Sequence, residues 1–141
     1  MTIYPDTSFL VSLYLVDRHT SRAQQKLIQR PAILFTQFHR AELTHATYQH
    51  VFRGQISEAE ARLAIANVDR DCRANILSEI ALPATAFETC ADLAKRHVAT
   101  LGVRTLDSLH VAAALELKAD RFWTFDERQG RLAEAEGLTT N

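Results

Sequence analysis

Paired cysteines are absent from this chain. Cys72 and Cys90 are its only two, they form no CxxC pair, and neither has an acid–base neighbour in sequence. A reduced, cytoplasmic setting is the default, with both thiols as packing residues. Glycine and proline are scarce: four and three in 141 residues. This leaves no low-complexity linker, no domain boundary and no glycine-rich phosphate loop, which argues against nucleoside-triphosphate chemistry. No apolar run is long enough to cross a bilayer, since the stretch from Phe9 to Val16 is short and interrupted by Ser12. The opening MTIYPDTSFL has neither a basic n-region nor a small-residue cleavage site, so no signal peptide is expected. A positive excess is missing as well. The formal net charge is −1, so any nucleic-acid surface must be local. The histidines include no HExxH pattern. His110 shares a helical face with Leu106 and Ala113, which predicts a hydrogen-bonded, partly buried imidazole rather than a metal ligand.

What is present is the balance of one soluble domain spanning residues 1–141. Apolar residues make up 47% and charged residues 23%, enough for a real core. Strand and helix signals alternate along the chain. Ile3-Tyr4 reads as a strand ending at Pro5-Asp6, and Phe9 to Val16 as a helix capped by Asp6 or Thr7. Ser21–Gln29 is helical, Ala32–Thr36 a strand, and Phe38–Phe52 a helix stopped by Gly54. Ser57 and Glu60 form a capping box that opens a helix to about Arg73. Ile76–Leu82 reads as a strand, Ala84–Leu101 as a long helix closed by Gly102, and Thr105–Ala119 as another. Phe122–Phe125 is a strand and Glu127–Ala135 a last helix. The alternation predicts an α/β fold, a three-layer α/β/α sandwich with a mostly parallel central sheet. In such sheets function sits beyond the carboxyl ends of the strands, at the switch in strand order.

Four carboxylates occupy positions that can meet there: Asp6, Glu42, Asp107 and Asp126. Each also has a plain structural explanation. Asp6 can be a simple N-cap, and Asp107 a first-turn acid favoured by the dipole of a helix capped by Thr105. Asp126 with Gln129 can be a cap. Glu42 shares a helical stripe with Phe38, Ala41 and His45; if that stripe faces inward, its carboxylate needs a partner. The joint pattern says more than any one site. Two like charges about 4 Å apart repel by roughly 4 kcal/mol at an effective dielectric near 20. Four gathered carboxylates would hold protons or separate unless a divalent cation neutralised them. Ser8 and Thr124 stand two residues from Asp6 and Asp126, placed to bond a carboxylate or a bound water, or to make a local turn bond.

Four segments carry a resemblance. Asp6-Thr-Ser-Phe-Leu-Val, Ala-Glu42-Leu, Arg104-Thr-Leu-Asp107-Ser-Leu-His-Val-Ala-Ala-Ala and Phe122-Trp-Thr-Phe-Asp126 resemble, in order and spacing, the PIN domain. The chain looks most like the VapC-type ribonuclease toxins of toxin–antitoxin pairs, from about residue 3 to its end. The resemblance implies a parallel sheet between helices. It also implies metal-dependent cleavage of RNA, and by position the acids Asp6, Glu42, Asp107 and Asp126 with accessory hydroxyls Ser8 and Thr124. A homodimer and a cognate antitoxin are implied as partners. One departure is Pro5, where the family more often has an apolar residue; it fits only if ladder pairing has ended by then.

The expected mechanism has Asp6, Asp107 and Asp126 holding Mg²⁺ or Mn²⁺, directly or through water. Glu42, itself linked through water, orients or deprotonates the attacking water. The products would be a 5′-phosphate and a 3′-hydroxyl. Single-stranded or looped RNA suits an open acidic crevice. Arg40, Arg104 and Arg128, with Arg53 and Arg73, are candidates for phosphate contact, although an ordinary solvated arginine is the plainer account of each. Tyr14, Tyr48, Phe52 and Trp123 are candidates for base stacking. Core packing is the plainer account of Trp123, and Tyr48 with Phe52, four apart on one helix, have a partner surface as their alternative. Three other classes stay open: a housekeeping RNA-processing nuclease, a non-catalytic RNA- or protein-binding module, and a phosphatase of the haloacid dehalogenase type. The last wants a second aspartate where this chain has Ser8.

Overall fold

Four short apolar segments build the middle of the molecule. In the computed structural model, which describes residues 1–141, they are β1 (Thr2–Pro5), β2 (Ala32–Phe35), β3 (Leu77–Glu79) and β4 (Arg121–Trp123). A fifth strand, β5 (Thr139–Thr140), completes a sheet of order β3-β2-β1-β4-β5 in which every pairing is parallel. Parallel sheets are covered on both faces, so their strands read as near-continuous apolar runs. Ile3, Ile33, Phe35, Leu77 and Trp123 face one core, while Tyr4, Leu34 and Phe122 face the other. The chain builds outward from β1 to β3, then returns to lay β4 and β5 on the opposite side. The switch in strand order therefore falls between β1 and β4.

Seven helices make the outer layers. On one face lie α1 (Thr7–Tyr14), α2 (Thr20–Lys26), α3 (Gln37–Phe52) and α4 (Glu58–Arg73). On the other lies a rod made of α5 (Thr85–Leu93), a π-helical segment (Ala94–Val98) and α6 (Ala99–Leu101), with α7 (Thr105–Glu116) and α8 (Glu127–Ala135). Starts follow capping chemistry. The Asp6 carboxylate accepts the Phe9 N–H, and Ser57 and Glu60 close the predicted capping box. The α5–α6 rod ends at Gly102, whose φ of 65° lies in the left-handed region. Nothing lies within 4 Å of a Cβ built there, so only backbone strain opposes a side chain. Gly102→Ala should cost about 1 kcal/mol, read as a lower urea midpoint.

Several expectations need correction. The expected strand Ile76–Leu82 is only Leu77–Glu79, because its one neighbour, β2, stops at Phe35. The strand expected at Phe122–Phe125 runs Arg121–Trp123, since the Thr124 hydroxyl and backbone turn to side-chain partners. The polar pair Thr139–Thr140 gave no strand signal and pairs with Arg121 and Phe122. Arg104, not Thr105, is the cap of α7, because Thr105 is already helical. The inward stripe of α3 is His39, Leu43 and Thr47; Ala41 and His45 are exposed, and Phe38 and Glu42 lie at the boundary. A polar residue that finds buried partners can hold a core position, and His39 does so. Its Nε2 bonds the Pro5 carbonyl at 2.7 Å, and its Nδ1 accepts the Thr36 N–H at 2.9 Å.

Pro5 fits for the reason its position demanded. The pairing of β1 with β2 covers Thr2 and Ile3 only. On the β4 side the ladder continues through Asp6, whose N–H donates to the Trp123 carbonyl at 2.9 Å. The missing N–H of Pro5 costs no ladder bond, and Asp6 is held at the end of β1.

Candidate functional site

Asp6 and Thr124 meet where the strand order switches. Asp6 follows β1, Thr124 follows β4, and the Thr124 hydroxyl donates to the Asp6 carboxylate. Ser8 Oγ donates to both Asp6 oxygens, at 2.7 and 2.9 Å, and accepts the Phe125 N–H at 3.2 Å. The Phe9 N–H adds a third donor at 2.9 Å. Asp6 is completely buried. Burial pushes its carboxyl up; the Thr124 hydroxyl, the proximity of His110, Ser8 and the Phe9 N–H offset this only in part. The result is a carboxyl group held in one orientation by its donors and belonging to no salt bridge.

Glu42 reaches the same end of the sheet from α3. Its Oε1 accepts the Thr7 hydroxyl at 2.6 Å and a hydrogen bond from His110 Nε2. His110 Nδ1 stands 3.0 Å from the Tyr4 hydroxyl, and Phe38 stacks on the imidazole at 4.3 Å. Burial raises the Glu42 carboxyl, but the bond and charge of His110 and the Thr7 hydroxyl outweigh it, leaving Glu42 below the usual carboxylate range. His110 is fully buried rather than partly so, within an unbroken buried run from Ser108 to Ala114. It links α3, α7 and β1, a role that helical periodicity did not reveal. The available signal was an imidazole inside so apolar a segment, which must find polar partners.

Asp107 and Asp126 complete the acidic edge. Asp107 lies in the first turn of α7, part-buried, with Arg104 Nε 3.5 Å from its Oδ2. Burial raises its carboxyl, Arg104 opposes this, and the charge of Asp126 raises it further. Asp126 caps α8 by accepting the Gln129 N–H at 2.9 Å, and its own N–H donates to Thr124 Oγ1 at 2.8 Å. Asp126 and Thr124 border an open cavity of about 380 Å³. Contacts thus run from Asp126 through Thr124 to Asp6, and from Glu42 through Thr7 and His110 to Tyr4. No three acidic, histidine or cysteine side chains converge within ligating reach of one ion.

The arginines divide. Arg40 is committed to Asp69 at 2.7 Å and Glu79 at 3.2 Å and lies over the Phe35 ring, on the β2–β3 side. Arg104 is exposed beside Asp107, and Arg128 is exposed at the start of α8. Trp123 is core, and Tyr14 is tied to Asp71 at 2.7 Å. Tyr48 and Phe52 stand exposed together on α3. Cys90 is buried, and Cys72 is part-buried with the Arg40 guanidinium 3.7 Å from its sulfur.

Comparison with known proteins agrees with this architecture. The family model described as PIN domain matches residues 3–135. No curated protein matches the sequence. Among solved structures, the chain is similar to Mycobacterium tuberculosis VapC20, described as a Sarcin-Ricin loop cleaving toxin. The TM-score is 0.69 at 17% identity, covering 97% of this chain and 96% of that one. It is also similar to a chain of VapBC2 from Rickettsia felis, bound to a DNA fragment from their promoter (TM-score 0.69, 14% identity, 100% and 98% covered). FitAcB from Neisseria gonorrhoeae gives a TM-score of 0.68 at 12% identity, with 98% and 95% covered.

Proposed function

The chain belongs to the PIN domain family, and from that premise we propose that it is a metal-dependent endoribonuclease, the toxin of a toxin–antitoxin pair. The observation that carries this is Asp6: a fully buried carboxylate at the switch point, clasped by Ser8 and Thr124 and lacking a cationic partner. Asp6, Asp107 and Asp126 offer carboxylate oxygens only, the donors that suit Mg²⁺ or Mn²⁺. With no three acidic side chains within reach of one ion, they would hold it with at most one or two carboxylates in direct contact and the rest through water, as suits a cation that retains several waters. Bound there, the ion would supply Lewis-acid activation of a water and charge stabilisation at the scissile phosphate. Glu42 is the base. Its lowered pKa keeps it ionised at neutral pH, and Thr7 and His110 fix its orientation while it takes a proton from the attacking water. Ser8 and Thr124 hold Asp6 in one rotamer, and Arg104 and Arg128 lie at the rim to meet the RNA backbone.

Single-stranded or looped RNA is the substrate, and the loop-cleaving activity stated for VapC20 supports that choice. A cognate antitoxin silences the protein in the cytoplasm. The exposed Tyr48 and Phe52 of α3 favour a homodimer that covers them. Two measurements test this reading. Cleavage of an unpaired RNA should stop in EDTA and return with excess Mn²⁺, giving 5′-phosphate and 3′-hydroxyl ends. Induced expression should arrest growth, and co-expression of the antitoxin should relieve it. Cleavage that persists in EDTA would refute the metal-dependent mechanism.

A further inference from the structure

Away from the acidic edge, a polar cavity of about 520 Å³ lies between α2 and β4. Its walls carry three cations, Arg22, Lys26 and Arg121, the amides of Gln25 and Gln29, and the Trp123 side chain. No carboxylate side chain lines it. None of the three cations belongs to a salt bridge. Arg22 and Lys26 are one helical turn apart on α2, and Arg121 meets them from the start of β4. Burial, then the charges of Arg22 and Arg121, hold the Lys26 ammonium below the usual lysine range. Gathering like charges without a counter-ion is unfavourable, and an anion between them removes that cost.

The cations also rest on aromatic rings. Lys26 Nζ stands 4.9 Å from the centre of the Trp123 ring, and the Arg22 guanidinium 5.8 Å from that of Phe125. His19 stacks on Phe125 at 4.3 Å with only 6° between the planes. Arg22 and Asn141 line this cavity and also the one bordered by Thr124 and Asp126. The two cavities therefore adjoin at Arg22 and Asn141, with the carboxylates Asp126, Glu127 and Glu134 confined to the one at the acidic edge and the three cations gathered towards the amino end of β4. Three cations spread from α2 to the start of β4, rather than converging on one point, suit the successive phosphates of a polymer better than a single small anion. With a net charge of −1 the chain has no bulk attraction for a polyanion, so attraction must come from local groups of unpaired cations such as this one.

We propose that Arg22, Lys26 and Arg121 form an exosite for the phosphates of an unpaired RNA strand leading away from the acidic edge. The strand's direction rests on the nuclease reading above; the binding does not. The test uses the full chain and its Arg22→Gln/Lys26→Gln/Arg121→Gln variant. Anisotropy of a fluorescein-labelled 20-nucleotide unpaired RNA is measured without divalent cation from 50 to 200 mM salt. Losing three phosphate contacts should flatten the plot of log affinity against log salt by about 2. Wild-type affinity should then fall roughly 20-fold more than that of the variant across this range. With Mn²⁺, the variant should show a raised KM and unchanged kcat on the 20-mer, and unchanged cleavage of a tetranucleotide. Removing mutually repelling charges should leave the thermal midpoint intact, and Arg121→Gln alone should shift the slope by about 0.7. Equal slopes for wild type and both variants overturn the exosite even if cleavage is normal. So does a variant that loses only its affinity for polyglutamate. A wild type that binds RNA through these cations yet never cleaves it refutes the nuclease reading and leaves the exosite standing.

Discussion

Asp6→Asn is expected to lower RNA cleavage by more than about 100-fold while leaving the protein at least as stable. The two effects share one cause. Asp6 is a carboxyl group in a fully buried position, and burial raises its pKa above the ordinary value. A native pKa above the unfolded one means that the ionised form costs stability, most at neutral pH and less as pH falls through the carboxylate range. Asparagine removes that cost and can still accept from Ser8 and the Phe9 N–H. What it cannot supply is the charge that attracts a divalent ion. Urea midpoints at pH 7 should therefore be equal to or above wild type. Mn²⁺ at 100 times its Kd should stabilise wild type by about 2.7 kcal/mol and leave the variant unmoved. Metal-dependent cleavage that survives in Asp6→Asn would remove Asp6 from the mechanism.

His39→Ala should destabilise the fold by about 3–5 kcal/mol, although His39 touches neither proposed substrate nor metal. Its imidazole is fully buried, and its loss strands the Pro5 carbonyl and the Thr36 N–H inside the protein. The same burial, with a contribution from His110, holds its pKa down to about 3. The unfolded chain takes up this proton near pH 6.5, so the residue's stabilising contribution is complete above that value and declines as pH falls toward 3. Between pH 7.5 and 5.5 this one group should remove about 1.4 kcal/mol. His39→Gln, which can still meet both partners, should lack this component. Urea unfolding of both proteins at pH 7.5, 6.5 and 5.5 checks it. Parallel pH dependences would show that His39 is not held neutral in the native state.

Local chemistry predicted much of this architecture. Ser57 with Glu60 marked the start of α4, and Gly54 and Gly102 marked helix ends, because caps and left-handed turns depend on neighbouring residues alone. The apolar runs of β1 and β2 were legible because a strand buried on both faces carries little polar sequence. Elements whose shape depends on distant partners were read less well. The ends of β3 follow from where β2 stops. Thr139–Thr140 is a strand only because β4 offers an open edge. The stripe of α3 was displaced because His39 looks polar in sequence and is satisfied 34 residues away at Pro5.

The site divides along the same line. Residue types and spacing along the chain proposed Asp6, Asp107 and Asp126 with Ser8 and Thr124, since acids beside strand ends and helix starts are visible one segment at a time, whereas Glu42 was proposed from a helical stripe that the fold displaces. Who bonds to whom was a matter of topology. The return of the chain to place β4 beside β1 brings Thr124 onto Asp6, 118 residues earlier. The approach of α3 to α7 gives Glu42 its His110, and the packing of α2 on β4 gathers Arg22, Lys26 and Arg121. Propensity and capping are short-range forces written in consecutive residues. Burial, shared hydrogen bonds and charge crowding act between residues that only the folded chain makes neighbours.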